Sequence, residues 1–193
     1  MDNELNGEYW SKRYAENDAV WDMGKVSPPL KGYIDQLQDK NLRILIPGCG
    51  NAYEAEYLIM QGFTNVTVID ISELLVNELK KKFTSGNPRI IFGDFFELNE
   101  QFDLIIEQTF FCALDPALRA KYADKMHELL SDEGKLAGLF FDKDFDGGPP
   151  FGGSKEEYED LFSEKFKIVK MEACYNSIPQ REGAELFFIM KRK

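Results

Sequence analysis

The chain has 193 residues, 44% of them apolar and 30% charged, a balance that fits one folded domain with layers on both sides of a sheet and excludes a disordered chain. Its formal charge of −11 works against binding a polyanion, because non-specific nucleic-acid affinity comes from lysine and arginine displacing counterions. A small-molecule partner is expected, and no nucleic acid. No apolar run approaches the roughly 18 residues of a membrane span, no export signal opens the chain, and Cys49, Cys112 and Cys174 are odd in number and scattered, so a cytoplasmic protein with free thiols and no membrane partner is expected.

Residues 7–31 carry both tryptophans, Trp10 and Trp21, with Tyr9 and Tyr14, in an otherwise polar stretch. Tyr9, Trp10, Arg13 and Tyr14 fall on one helix face. Such a face either packs on the domain or forms a lid, because aromatics bury large area and exclude water. Pro28 and Pro29 start a helix over 30–38, with Leu30, Ile34 and Leu37 on one side. A β-rich run over 42–46 leads into the turn Pro47-Gly48-Cys49-Gly50, a helix over 52–61 stopped by Gly62, and a strand over 66–69 followed by Asp70. Ser72 is placed to cap a helix over 73–83, residues 85–88 form a turn, and 89–92 a third strand, followed by Gly93-Asp94-Phe95-Phe96.

A fourth strand covers 102–107, a helix 116–130, a turn 131–134 and a fifth strand 135–141. Residues 142–154, rich in glycine, proline and aspartate, are too long for a simple turn and read as a functional loop. A helix over 155–162 follows. The last apolar runs, 166–172 and 184–190, are too close in sequence for a parallel crossover and must pair antiparallel. Five alternating strand and helix units closed by a β-hairpin give an α/β, Rossmann-like architecture.

Gly48 and Gly50 let the backbone pass close to a ligand, and the helix that follows offers free N–H groups. A lone Gly-x-Gly is weak evidence, but this one sits between a strand and a helix, and Asp70, 22 positions after Gly48, is placed to accept both hydroxyls of a ribose. Position 53, where a dinucleotide fingerprint needs its third glycine, is Tyr53, and no Gly-Lys-Ser or Gly-Lys-Thr follows the turn. A nucleoside without phosphates fits better, which points to S-adenosylmethionine, with Asp94 toward the adenine amine and Phe95 beside the ring.

Residues 10–30, the Ile46-Pro47-Gly48-Cys49-Gly50 turn, Ile69-Asp70-Ile71-Ser72, the run from Phe110 to Pro116 and Gly147-Gly148-Pro149-Pro150 closely resemble the thiopurine methyltransferase family, especially its halide and thiol methyltransferase branch. The resemblance implies a class I methyltransferase fold: a mostly parallel seven-stranded sheet with a C-terminal antiparallel hairpin strand and helices on both faces. It implies one domain over 1–193, with 1–31 as an aromatic lid, binding S-adenosylmethionine and releasing S-adenosylhomocysteine. Trp10, Tyr14 and Trp21 would close over the cofactor, Gly48 meet its methionine moiety, Asp70 the ribose, Asp94 and Phe95 the adenine, and Gln108 the sulfonium side. The chain departs from the family at Phe151, where an aromatic hydroxyl is usual, and at Tyr14, where tryptophan is frequent.

The implied reaction is in-line methyl transfer to a small soft nucleophile such as a thiol, hydrosulfide or halide, which needs little help from a base. Glu107, near the sulfonium, is the one candidate catalytic group, with a structural carboxylate as the alternative. Phe110, Phe111, Phe145 and Phe151 fall in loops at the C-terminal edge of the sheet; Phe111, Phe145 and Phe151 are expected to line the acceptor pocket, where they would strip water from a polarizable nucleophile, with ordinary core packing as the alternative for Phe110 and Phe111. His127 is expected on the surface and Cys112 in packing; no metal is expected. A thiopurine or selenium and tellurium methyltransferase of the same fold, and a non-catalytic S-adenosylmethionine-binding module, stay open, as does the choice between a monomer and a weak homodimer.

Overall fold

The computed structural model describes residues 5–193; the first four residues of the expected lid lie outside the described residues. The elements in chain order are α1 (Gly7–Ala15), α2 (Pro28–Ile34), β1 (Ile44–Pro47), α3 (Tyr53–Met60), β2 (Val66–Asp70), α4 (Glu73–Lys82), β3 (Arg89–Phe92), β4 (Phe102–Gln108), α5 (Arg119–Leu129), β5 (Leu130–Phe141), α6 (Lys155–Ser163), β6 (Phe166–Ala173) and β7 (Glu185–Arg192).

One seven-stranded sheet runs in the order β3-β2-β1-β4-β5-β7-β6. The first five strands are parallel, and β7 slots antiparallel between β5 and β6. The central strands bury both faces, so their side chains alternate between two cores. Ile44, Ile46, Leu104 and Ile106 pack toward α2, α3 and α4 through Leu30, Ile34, Ala55, Leu58, Leu75 and Leu79. Leu45 and Ile105 point the other way, toward Tyr122, Met126 and Leu129 of α5 and Phe162 of α6. The mostly parallel seven-stranded sheet with a C-terminal antiparallel hairpin strand expected from the sequence is the one observed.

Local signals set most boundaries. Ser72 caps α4 by accepting from the Leu75 N–H, and Gly62, at φ +87°, closes α3. Two expectations need correction. The helix over 30–38 ends at Ile34, where Asp35 takes up a pairing with Lys31 and Tyr57. The turn at 131–134 does not separate α5 from a strand: β5 already starts at Leu130, opposite Phe102, and the extra residues form an irregularity before pairing resumes at Leu104 and Lys135.

Candidate active site

The sheet topology reverses beside β1, and the loops leaving the C-terminal ends of the parallel strands surround a cavity of about 480 Å³. Ligands of open α/β sheets sit at this place.

The turn after β1 forms its floor. Gly48 and Gly50 have φ of +53° and +52°, a left-handed conformation that favours glycine. A Cβ on Gly48 would lie 2.2 Å from the Phe110 ring, so the missing side chain is also what lets that ring close on the turn. Asp70, at the tip of β2, is 8% exposed; its carboxylate accepts from the Gly50 N–H at 3.2 Å and the Ser72 N–H at 2.9 Å. Burial outweighs these two donors and pushes the carboxyl up to about 6. Asp94 caps the short turn Phe95–Glu97 through the Phe96 N–H at 2.8 Å, which sets Phe95 against the Phe110 ring at 5.1 Å. At the end of β4, Gln108 faces the cavity with its Oε1 buried and without a donor.

The leader covers this floor. Trp21 stands edge-on to Trp10 at 5.4 Å and to Tyr14 at 5.8 Å, and its indole N–H donates to the Tyr14 hydroxyl at 3.4 Å. The cover is tied down at several points. Asp22 accepts from the Asn51 side chain and from the Tyr53 hydroxyl at 3.2 Å. Ser27 donates its N–H to the buried Glu54 at 3.0 Å, and the Trp21 carbonyl accepts from Arg181 at 2.8 Å. Tyr53, the residue that breaks the dinucleotide fingerprint, is thus a latch for the leader.

The sequence-derived residues Trp10, Tyr14, Trp21, Gly48 and Asp70 line this one cavity together, and Asp94, Phe95, Gln108 and Phe145 complete the set. Three others do not. Glu107 is fully buried and turned into the core: Oε1 accepts from the Phe110 and Phe111 N–H groups at 2.8 and 3.0 Å, and Oε2 from the Tyr122 hydroxyl at 2.5 Å. Burial pushes its carboxyl up to about 7, and Glu107 does not line the cavity. Phe111, 2% exposed, packs among Tyr122, Phe140 and Tyr158, because the left-handed Thr109, at φ +57°, turns the chain so that Phe110 faces the cavity and Phe111 the core. Phe151 folds over Gly148, where an added Cβ would sit 2.4 Å from its ring, and leaves the cavity wall to Pro149 and Pro150.

Cys112 reaches the cavity as a thiol that burial pushes up to about 12, and His127, half-buried edge-on to Phe166, is remote from it. Among the described residues there is no cluster able to hold a metal ion, and no helix is long and apolar enough to cross a membrane. Thr109 and Arg181 also line the cavity and were not singled out from sequence. No side-chain pattern marks Thr109. Arg181 offers one weak signal, its spacing four residues before Glu185, with which it forms a buried ion pair at 3.2 Å.

Residues 5–189 match the family model described as Thiopurine S-methyltransferase. The chain is 36% identical over 184 residues to "Probable thiol methyltransferase 2" of Arabidopsis thaliana, covering 91% of this chain and 81% of the relative. It is 34% identical to "Thiocyanate methyltransferase 1" of Brassica oleracea, with the same coverages, and 26% identical to the thiopurine S-methyltransferase of Acinetobacter baylyi, covering 93% of this chain and 94% of that one. Among solved structures, a TehB-like S-adenosylmethionine-dependent methyltransferase from Corynebacterium glutamicum shares the fold with a TM-score of 0.70 at 19% identity, covering 97% of this chain and 98% of that one. A Burkholderia thailandensis N-methyltransferase, solved with S-adenosylhomocysteine, does so with a TM-score of 0.76 at 17% identity, covering 96% and 86%.

Proposed function

Because the chain belongs to the thiopurine S-methyltransferase family, and is therefore an S-adenosylmethionine-dependent methyltransferase, we propose that its acceptor is a small soft nucleophile, a thiolate, hydrosulfide, thiocyanate or halide, methylated by in-line displacement. The observation that carries this reading is an acceptor wall without a base. Among the described residues, the loops after β4 and β5 and the turn before β7 line the cavity with Phe110, Cys112, Phe141, Lys143, Phe145 and Arg181, and with no carboxylate, histidine or tyrosine. Glu107, the candidate base nearest in sequence, is spent inside the core. An acceptor that must lose a proton during transfer is poorly served here; one that arrives as an anion or a soft lone pair needs alignment and removal of water. Lys143 at the rim suits a negative charge, and the phenylalanines suit a weakly hydrated one. The plant relatives named for thiol and thiocyanate methylation support the same choice.

The cavity fits the cofactor on its own chemistry. Asp70 is placed to accept the ribose hydroxyls, Gly48 to let the methionine moiety approach, and Asp94 and Phe95 to frame the adenine. Gln108 keeps a buried oxygen free of donors, suited to the positive sulfonium side. When bound, S-adenosylmethionine supplies a methyl group activated on a sulfonium. In this single domain Trp10, Tyr14 and Trp21 exclude water above it, and the ties from Asp22, Glu54 and Arg181 hold that cover in place.

Incubation of the purified chain with S-adenosylmethionine and iodide, hydrosulfide, thiocyanate or an aromatic thiol, followed by gas analysis of the headspace, should reveal the methylated volatiles. Methylation of a thiopurine alone would redirect the acceptor assignment. Tight cofactor binding with no turnover of any acceptor would identify a binding module.

A further inference from the structure

Glu107 is turned into the core, yet it occupies an unusual place. It is the penultimate residue of β4, and Gln108, Thr109 and Phe110, which follow it directly, all line the cavity. Its Oε1 collects the N–H groups of Phe110 and Phe111, and its Oε2 receives the hydroxyl of Tyr122, itself fully buried on α5. Gly138 of β5 lets the Glu107 backbone come close: a Cβ there would lie 2.4 Å from both the Glu107 Cβ and its carbonyl oxygen.

The turn it caps is not a relaxed one. Thr109 sits at φ +57°, a conformation a β-branched residue rarely adopts unless its surroundings enforce it. What the enforcement achieves is visible at Phe110, whose ring closes on Gly48 in the turn after β1 and stands 5.1 Å from Phe95. One buried carboxylate therefore ties together the β4 turn, the glycine turn and the Phe95 wall.

We infer that Glu107 is a positioning residue whose ionised carboxylate locks the Gln108–Phe111 turn in the shape that binds the cofactor, so that its protonation loosens the site. Hydrogen bonds to an ionised acceptor are roughly twice as strong as those to a neutral one. The titratable groups facing the carboxyl are the Tyr122 hydroxyl from α5 and the Cys112 thiol from its own turn; the β5 residue paired with Glu107 is Gly138, which has no side chain. Among the described residues no ammonium or guanidinium is paired with it, and burial outweighs the Tyr122, Phe110 and Phe111 hydrogen bonds that favour the ionised form, raising its affinity for a proton toward neutral pH. Asp70, which also lines the cavity and titrates lower, gives a second and separate limb.

The inference rests on the cofactor assignment, and calorimetric titration with S-adenosylhomocysteine between pH 5 and 9 tests the two apart. In the unaltered chain the dissociation constant should rise on the order of three- to tenfold as pH falls through about 7, beyond the Asp70 limb near 6. Glu107→Gln keeps an acceptor for both N–H groups but carries no charge; its affinity should equal the weaker, low-pH value and lose the limb near 7. Tyr122→Phe removes the hydroxyl that favours the ionised form, so the limb should move to higher pH, and this variant serves alone if Glu107→Gln does not fold. A merely structural carboxylate predicts the same pH profile in all three chains, and that result would overturn the inference. Failure of the unaltered chain to bind S-adenosylhomocysteine at any pH would instead overturn the cofactor assignment.

Discussion

Replacing Gly48 by alanine adds one methyl group and meets two separate obstacles. The backbone stands at φ +53°, where an L side chain costs about 1–2 kcal/mol. The new Cβ would lie 2.2 Å from Phe110 Cδ2, 2.7 Å from Cγ and 3.0 Å from Cβ, so the ring must move off the turn. Overpacking of this kind costs about 1–3 kcal/mol. The sum, about 2–5 kcal/mol by denaturant unfolding, corresponds to about 2–4 °C of Tm per kcal/mol for a chain of this size. The two terms separate in a double-mutant cycle. With Phe110→Ala already in place the ring contacts at 2.2 and 2.7 Å are gone, leaving the backbone cost and the tight 3.0 Å contact with the Cβ at position 110, so the pair should fall short of additivity by about 1–3 kcal/mol. The displaced ring lines the cavity, so Gly48→Ala alone should also weaken S-adenosylhomocysteine binding, and the double variant should recover part of it. Additivity within about 0.5 kcal/mol would refute the packing of Phe110 on this turn.

Asp70→Asn should weaken S-adenosylhomocysteine by about tenfold or more in calorimetry, since hydrogen bonds to a charged acceptor contribute about 1.5–3 kcal/mol; unchanged affinity would remove the ribose role. Trp21→Ala removes a cover ring that packs on Trp10 and Tyr14, and should raise the same dissociation constant while costing little if the ring merely packs outside the site. The ligand-free chain should gain thermal stability as pH falls from 8 to 5.5. Asp70 at about 6 and Glu107 at about 7 stand above their ordinary values of 3.8 and 4.5, so the folded chain takes up protons that the unfolded chain does not. A falling Tm over that interval would contradict the burial of both groups.

Legibility from sequence followed locality. The turn after β1, the Ser72 cap and the tip of β2 were readable because glycine, serine and aspartate act there through backbone conformation and bonds within a few residues. The final antiparallel hairpin was readable from chain length alone, since no crossover fits between its strands. The irregularity after Leu130 was not: its polar residues look like a turn in isolation, and only pairing with β4 keeps them in a strand.

The loops after β4 and β5 show the boundary most clearly. Phe110 and Phe111 are chemically identical neighbours, and composition cannot say which faces a ligand; the left-handed Thr109 between β4 and its 3₁₀ turn decides it. Glu107 looked available from its place at a strand end, but its partners include Tyr122, fifteen residues later and on another layer. Phe151 was drawn away by a docking loop in which its N–H reaches the Cys112 carbonyl at 2.7 Å. Arg181 reached the site from the far end of the chain because β7 inserts between β5 and β6 and brings the preceding turn under Trp21. The sequence by itself determined the glycine turn after β1 and the placing of Asp70 at the tip of β2, because backbone conformation and short-range bonds set both. The cavity wall formed by the loops after β4 and β5 had to await the tertiary structure, because which side of a loop faces inward is set by contacts between segments that no local pattern encodes.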